Sequence, residues 1–390
     1  MKRAGRAALI LLGGLCMLSG LDAALVLLGL PAPLRLDRLA QMHGILMVLG
    51  FLGTVISLER AVALRRWWGY LAPAGTGAGS LLVLTPAPLL AGQLVILAGC
   101  LVLAGVYLAL WQRARDAVVL AQLISAVLAM CAVLVWIRTD VATVLVLLSG
   151  FLVVTIAAER VELARLMLPA RAEDLLLAGT AAAAVAGGLS VLWPAVGGRV
   201  FGVALAVSAL WLMRHDVARR TVRARGLPRF AAVAMLAGYV WLLVAAACWL
   251  LAPVPAGGWA YDTVVHAVFL GFAISMVMAH APVILPAVLK VKLPYHPVMW
   301  VPLVVLHGAL LVRVTGSLAQ GPWYQPGAVG TIIALLLLVL SAVLSGRLPA
   351  PAGKPRPRGS SGDRGSSGDR AGAPAQKNDG PEGPAQKAVR

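Results

Sequence analysis

An all-α, polytopic membrane protein is the fold class this sequence predicts, and three observations carry it. Of the 390 residues, 61% are apolar and only 12% are charged, a mixture no soluble globular domain approaches. The apolar residues come in stretches of roughly 18 to 25, the length that crosses a bilayer as a helix. The basic residues fall in alternate connections between those stretches.

About twelve spanning helices are expected, centred near residues 18, 51, 78, 101, 126, 154, 184, 204, 241, 275, 306 and 336. The first begins like a signal peptide, with Met1-Lys2-Arg3 ahead of an apolar run. Asp22 interrupts that run and no small-residue cleavage site follows before Pro31, so the segment is kept as a span. The third and seventh are the faintest, because Gly and Ala dilute their apolar character. Together the spans make a transmembrane domain over residues 1–346. Residues 347–390 are a different material, with Lys-Pro-Arg-Pro-Arg, a tandem Gly-Ser-Ser-Gly-Asp-Arg and Pro-Ala-Gln-Lys twice. Such sequence buries too little apolar area to offset its chain entropy, so a disordered cytoplasmic tail is expected.

The net charge of +18 suggests nucleic-acid binding until the charges are placed. Arg65 and Arg66, Arg113 and Arg115, Arg165 and Arg171, the run from Arg214 to Arg229, Lys290 and Lys292, and the tail after Arg347 all lie in alternate loops. Putting those loops in the cytoplasm satisfies the positive-inside rule and places both termini there. The partner implied is the lipid bilayer, and nucleic acid is excluded. Cys16, Cys100, Cys131 and Cys248 each sit in an apolar span with no Cys-x-x-Cys pair and read as small packing residues.

The chain repeats itself. Gly50-Phe51-Leu52 leads through Ile56 to Glu59-Arg60, and one hundred residues later Gly150-Phe151-Leu152 leads through Ile156 to Glu159-Arg160. A weaker copy begins at Gly271-Phe272, with His280 in the place of the glutamate. The copies fall on the second, sixth and tenth helices, which predicts a unit of four helices used three times. Each Glu-Arg step ends its helix. Adjacent helical residues point apart, so each glutamate is expected to pair with an arginine elsewhere.

Two helices carry a histidine near one membrane depth: His43 in the second and His266 in the tenth, each about four residues, or roughly 6 Å, inside its helix. An imidazole within a bilayer is costly to place and marks a functional site by default. Neutral imidazole is a strong ligand for haem iron, provided its other ring nitrogen has a partner. Gly44, Gly50, Gly53 and Gly271 would let a flat macrocycle approach the backbone, or equally let helices pack closely. His280, about 21 Å along the helix from His266, cannot share one haem with it. His280 and His307 are each a further candidate for metal, haem or copper. His296, between Pro294 and Pro297, reads as a turn or cap residue, and His215 as a solvated loop residue. Arg313, with Arg138 and Arg199, could pair haem propionates or snorkel to the interface. Asp22 is a candidate proton-relay or supporting residue.

His43-Gly44-x-x-Met47 resembles the second-helix signature of haem-copper oxidase subunit I, a twelve-helix protein with three-fold pseudo-symmetry whose low-spin haem hangs between helices 2 and 10. His43-x3-Met47-x2-Gly50-Phe51 and His266-Ala267-x3-Gly271-x4-Met276 resemble NnrS more closely, a haem-containing twelve-span family linked to nitric oxide and denitrification. The resemblance implies a bacterial inner-membrane protein with haem b, with His43 and His266 as axial ligands and Met47, Gly50, Gly271 and Arg313 beside the cofactor. Copper is a second candidate cofactor, and nitric oxide or a redox protein a candidate partner. Helix 6 has Glu159 but no histidine, and no His-His pair occurs around helix 7. The copper ligands of the oxygen reductases are therefore missing, and proton-pumping oxygen reduction is not expected. A haem-free secondary transporter, for which internal repeats and sparse intramembrane charge are also a signature, and a metalloenzyme assembly factor are the competing readings.

Overall fold

The computed structural model describes residues 1–252, 257–290 and 293–348. Lys292 and nearly all of the expected tail, residues 349–390, lie outside the described residues. Among the described residues there are helices and no strands. This is the solution lipid demands, since a helix satisfies its backbone polar groups internally.

In chain order the longer helices are α1 (Arg3–Leu27), α2 (Ala40–Leu64), α3 (Leu71–Leu82), α4 (Leu89–Ala114), α5 (Ala117–Trp136), α6 (Leu145–Ala164), α7 (Ala172–Leu192), α8 (Pro194–His215), α9 (Leu227–Leu251), α10 (Gly258–Leu289), α11 (Pro297–Leu318) and α12 (Tyr324–Ser345). Ten of them are long and apolar enough to cross a membrane. The other two are α3 and α6. α3 has only 12 residues after a 3-10 turn at Trp67–Tyr70, and α6 carries Glu159, Arg160 and Glu162 in its last turns. The faintness of α3 in the sequence has a packing cause. A Cβ at Gly75 would stand 2.8 Å from the Cα of Gly99 on α4, so glycine is what lets these backbones touch. Close packing of this kind, rather than hydrophobicity, holds helices together in lipid.

The helix ends follow local chemistry. Asp116 caps α5 by accepting a hydrogen bond from Val118 N at 2.8 Å, and His296 Nδ1 caps α11 by accepting from Val298 N at 3.2 Å, as its proline-flanked position predicts. Gly226, at φ +68°, turns the chain into α9 ahead of Pro228. Arg65, Arg115 and Lys290 end α2, α4 and α10 in the left-handed conformation. A non-glycine residue there costs on the order of 1 kcal/mol, and a basic one recovers part of that at the negative end of the helix dipole. His215 is the last residue of α8, half-buried and stacked on Trp211, where a solvated loop was expected.

The three helices bearing the repeated motif form the centre. In α2 and α10 72% and 67% of the apolar window is buried, against 28% to 56% in the other spanning helices, and every residue of α6 from Leu145 to Ala158 is buried. Arg60 ties α2 to α6, contacting Glu159 at 3.3 Å and Glu162 at 3.9 Å. Glu159 thus pairs with an arginine elsewhere, as its spacing predicts. Glu59 does not, because the Arg60 guanidinium curls back to its own neighbour at 2.8 Å.

Candidate functional site

Apart from His215 at the end of α8, four histidines lie within the helices of the bundle, and the hydrogen bonds at their ring nitrogens divide them into two pairs. His43 Nδ1 stands 2.8 Å from the carbonyl oxygen of Gly20 on α1. His266 Nδ1 stands 2.7 Å from the carbonyl oxygen of Asp262, one turn earlier, and 3.2 Å from the Asp262 carboxylate. A carbonyl oxygen can only accept, so in both rings Nδ1 carries the proton. In a neutral imidazole this leaves Nε2 with a bare lone pair. Neither Nε2 has a hydrogen-bond partner among the described residues.

The other pair is spent. His280 Nδ1 donates to the Met276 carbonyl at 2.7 Å, and its Nε2 accepts from Arg160 Nη1 at 3.0 Å. Trp241 Nε1, which can only donate, reaches His307 Nδ1 at 2.9 Å, so His307 Nε2–H is left to donate to Ser275 Oγ at 3.3 Å. Both expected metal candidates therefore have protein partners at both nitrogens. Among the described residues no group of three or more His, Cys, Asp or Glu side chains is placed to hold a metal ion. A two-imidazole clamp on haem iron needs no such group.

His43 and His266 line one cavity of about 400 Å³, walled by α1, α2, α6, α10, α11 and α12. Its size lies within the range of about 300 to 1,000 Å³ typical of cofactor and small-molecule sites. The lining is largely apolar, from residues such as Leu21, Val48, Leu148 and Phe269, and the polar groups gather toward one end with Gln41, Tyr261, Asp262, Arg313 and Tyr324.

Behind His266 stands a buried polar network. Arg313 forks onto the Asp262 carboxylate at 3.0 and 2.6 Å, and Tyr324 Oη reaches Asp262 Oδ1 at 3.2 Å and Arg313 Nη2 at 3.3 Å. A carboxylate holding the back of an imidazole fixes its tautomer and raises its basicity, which is the arrangement that supports a metal-ligating histidine. Asp262 was missed in the sequence although its i,i+4 spacing to His266 puts the two on one helical face. Tyr324 carried no sequence signal.

The helices beside the two histidines are irregular in the same way. π-helical segments of eight residues run from Leu46 to Gly53 in α2 and from Ala267 to Ile274 in α10. In each, the Gly-Phe step of the repeat occupies the fifth and sixth positions. Such segments occur frequently at functional sites. Here they are in register with one another while α6, which lacks the histidine, is α-helical throughout.

The remaining expected site residues separate. Met47, Gly44 and Arg313 line the cavity. Arg313 is already committed to Asp262, so it supports His266 rather than standing free for a propionate. Gly50 and Gly271 do not line the cavity. A Cβ at Gly50 would meet Cys16 and Ser80, and one at Gly271 would lie inside contact distance of the Trp241 ring. These glycines bring helices together. Asp22 Oδ2 accepts from Leu34 N at 2.9 Å and so anchors the α1–α2 connection.

No curated protein sequence matches the chain. Residues 6–347, which take in the cavity and all twelve helices but for the first three residues of α1, match a family model described as a domain of unknown function (DUF8744). The protein belongs to that family.

Proposed function

We propose that this protein is a haem b-binding integral membrane protein of NnrS-like type, serving nitric-oxide-linked stress response or electron transfer in a bacterial inner membrane, with its arginine-rich loops and both termini in the cytoplasm. One observation carries the reading: two imidazoles from two different helices, each with Nδ1 held by a carbonyl and a bare Nε2, share one largely apolar cavity. The residues present suit the group. His43 and His266 would hold the iron, Met47 and Phe269 would contact the macrocycle, and Asp262 would set the donor strength of His266. Haem in that position supplies a one-electron couple. The chain's own part is to fix both ring orientations before the cofactor arrives, so that little ordering is left to do on binding. An apolar wall around the iron then keeps water away and sets the local dielectric.

A haem-free secondary transporter is the second reading. It is favoured by the irregular hydrogen bonding of α2 and α10 beside the cavity, since transporters bind substrate at interrupted helices. Absorption spectra of the detergent-purified protein, expressed with ample haem and recorded oxidised and dithionite-reduced, separate the two. The proposal expects a Soret band with sharp low-spin features on reduction. Protein without Soret absorbance gives the transporter reading the lead.

A further inference from the structure

The arginine-rich end of α8 carries a feature unrelated to the histidine cavity. Arg214, Arg219, Arg220 and Arg223 line a recess of about 640 Å³ together with His215, Asp216 and the Met167–Pro169 turn. The one carboxylate there is already used, because Asp216 is forked onto Arg160 at 2.9 Å on both oxygens. Among the described residues none of the four arginines has a carboxylate within salt-bridge distance. Arg219 reaches only the Arg214 carbonyl, at 3.0 Å. Four arginines thus line a recess whose one carboxylate is committed to Arg160.

Next to the recess along α8 lies an apolar crevice of about 480 Å³ between α6, α7 and α8. Its walls mix small side chains such as Gly179, Ala183 and Ala204 with larger apolar ones such as Leu176 and Phe201, and Ser208 and Trp211 stand at the end nearer the arginines. Trp211 and His215 join the two spaces, their rings stacked 5.2 Å apart with one lining the crevice and the other the recess. A positive recess at the end of a greasy slot between spanning helices matches one kind of molecule, with an anionic head and a hydrocarbon tail.

We propose that this is a binding site for one anionic phospholipid, its phosphate held by Arg214, Arg219, Arg220 and Arg223 and an acyl chain seated in the α6–α7–α8 crevice. Charge and shape argue for a lipid over a protein partner. Guanidinium groups are suited to forked hydrogen bonds with phosphate, basic pockets at helix ends select anionic headgroups, and the crevice has the volume for a chain and not for a helix.

The test uses the full-length protein, delipidated in neutral detergent. Native mass spectrometry and thermal unfolding would be followed during titration with phosphatidylglycerol, phosphatidylcholine or inorganic phosphate. Phosphatidylglycerol should be retained at one per chain and raise the unfolding temperature, and phosphatidylcholine and phosphate should do neither. Replacing Arg219, Arg220 and Arg223 together by Gln should weaken phosphatidylglycerol retention at least tenfold. Ala204→Trp, which fills the crevice and leaves the arginines in place, should do the same. Equal retention of the two lipids, protection by phosphate alone, or retention unchanged in both variants would overturn the proposal.

Discussion

At two places along its length, helix α10 sets a histidine among the same three other residue types, drawn mostly from neighbouring helices and put to different uses. Toward its N-terminus, His266 stands with Asp262, Arg313 and Tyr324; toward its C-terminus, His280 stands with Arg160, Asp216 and Tyr239. In both, an arginine forks onto an aspartate that also accepts from a tyrosine. The connection to histidine differs. Asp262 holds His266 from behind, so the free nitrogen faces a cavity. Arg160 donates to the free nitrogen of His280, so nothing is left over. The same inventory leaves an imidazole nitrogen open to a cavity in one network and makes a closed clamp between α6, α8, α9 and α10 in the other. Residue type alone says little about a buried histidine until each ring nitrogen is followed to its partner.

The largest effect on folding should come from the closed network. Side-chain exposure of the Arg160–Asp216 pair is 8% and 1%, so Asp216→Ala leaves a buried guanidinium with no counter-charge. Breaking such a pair costs about 3–5 kcal/mol, to be read as a fall in thermal unfolding temperature in detergent, with any haem spectrum retained in the folded fraction. Asp262→Asn is expected to reverse the pattern. The fold should suffer less, and affinity for haem should fall about 10- to 100-fold, the usual consequence of losing the group behind a ligating histidine. A spectral titration of apoprotein with haem checks this.

Acid should act on the closed network late. Burial alone would raise the carboxyl of Asp216, but Arg160, the Tyr239 hydroxyl and the Ala218 N–H outweigh it and hold it below the ordinary aspartate value. A depressed native value means that the contribution to stability is fully present above the unfolded-state value and is lost as pH falls through the native one. Unfolding temperature should therefore decline in wild type only as pH drops below the ordinary aspartate range, and that component should vanish in Asp216→Asn. The smallest effect is predicted for Tyr324→Phe, which removes one hydroxyl from a network whose main fork survives. About 0.5–1.5 kcal/mol is expected, and a loss as large as that of Asp216→Ala would mean the two networks do not differ as described.

The sequence showed the helices and which of them matter, because apolar run length and a repeated Gly-Phe step are local signals. His43 and His266 stood out for the same reason, as imidazoles in apolar surroundings. What separates them from His280 and His307 was not legible, since the deciding partners are remote in the chain. The Trp241 donor to His307 lies 66 residues away, and the Arg160 donor to His280 lies 120 away. For Gly50 and Gly271 the sequence left two uses open, approach to a macrocycle or close helix packing, and only the neighbours Cys16, Ser80 and Trp241, remote in the chain, decide for packing. The pairing of Glu59 with its neighbour was likewise outside the reach of helical spacing, since it depends on the long Arg60 side chain folding back one turn before α2 ends.

The most direct test of the account compares four single variants, His43→Ala, His266→Ala, His280→Ala and His307→Ala, each purified in detergent and recorded oxidised and dithionite-reduced. Loss of the low-spin reduced spectrum in the first two and its retention in the last two is the predicted result. A full spectrum in both His43→Ala and His266→Ala, or its loss on removing His280 or His307 from protein that remains folded, would contradict it.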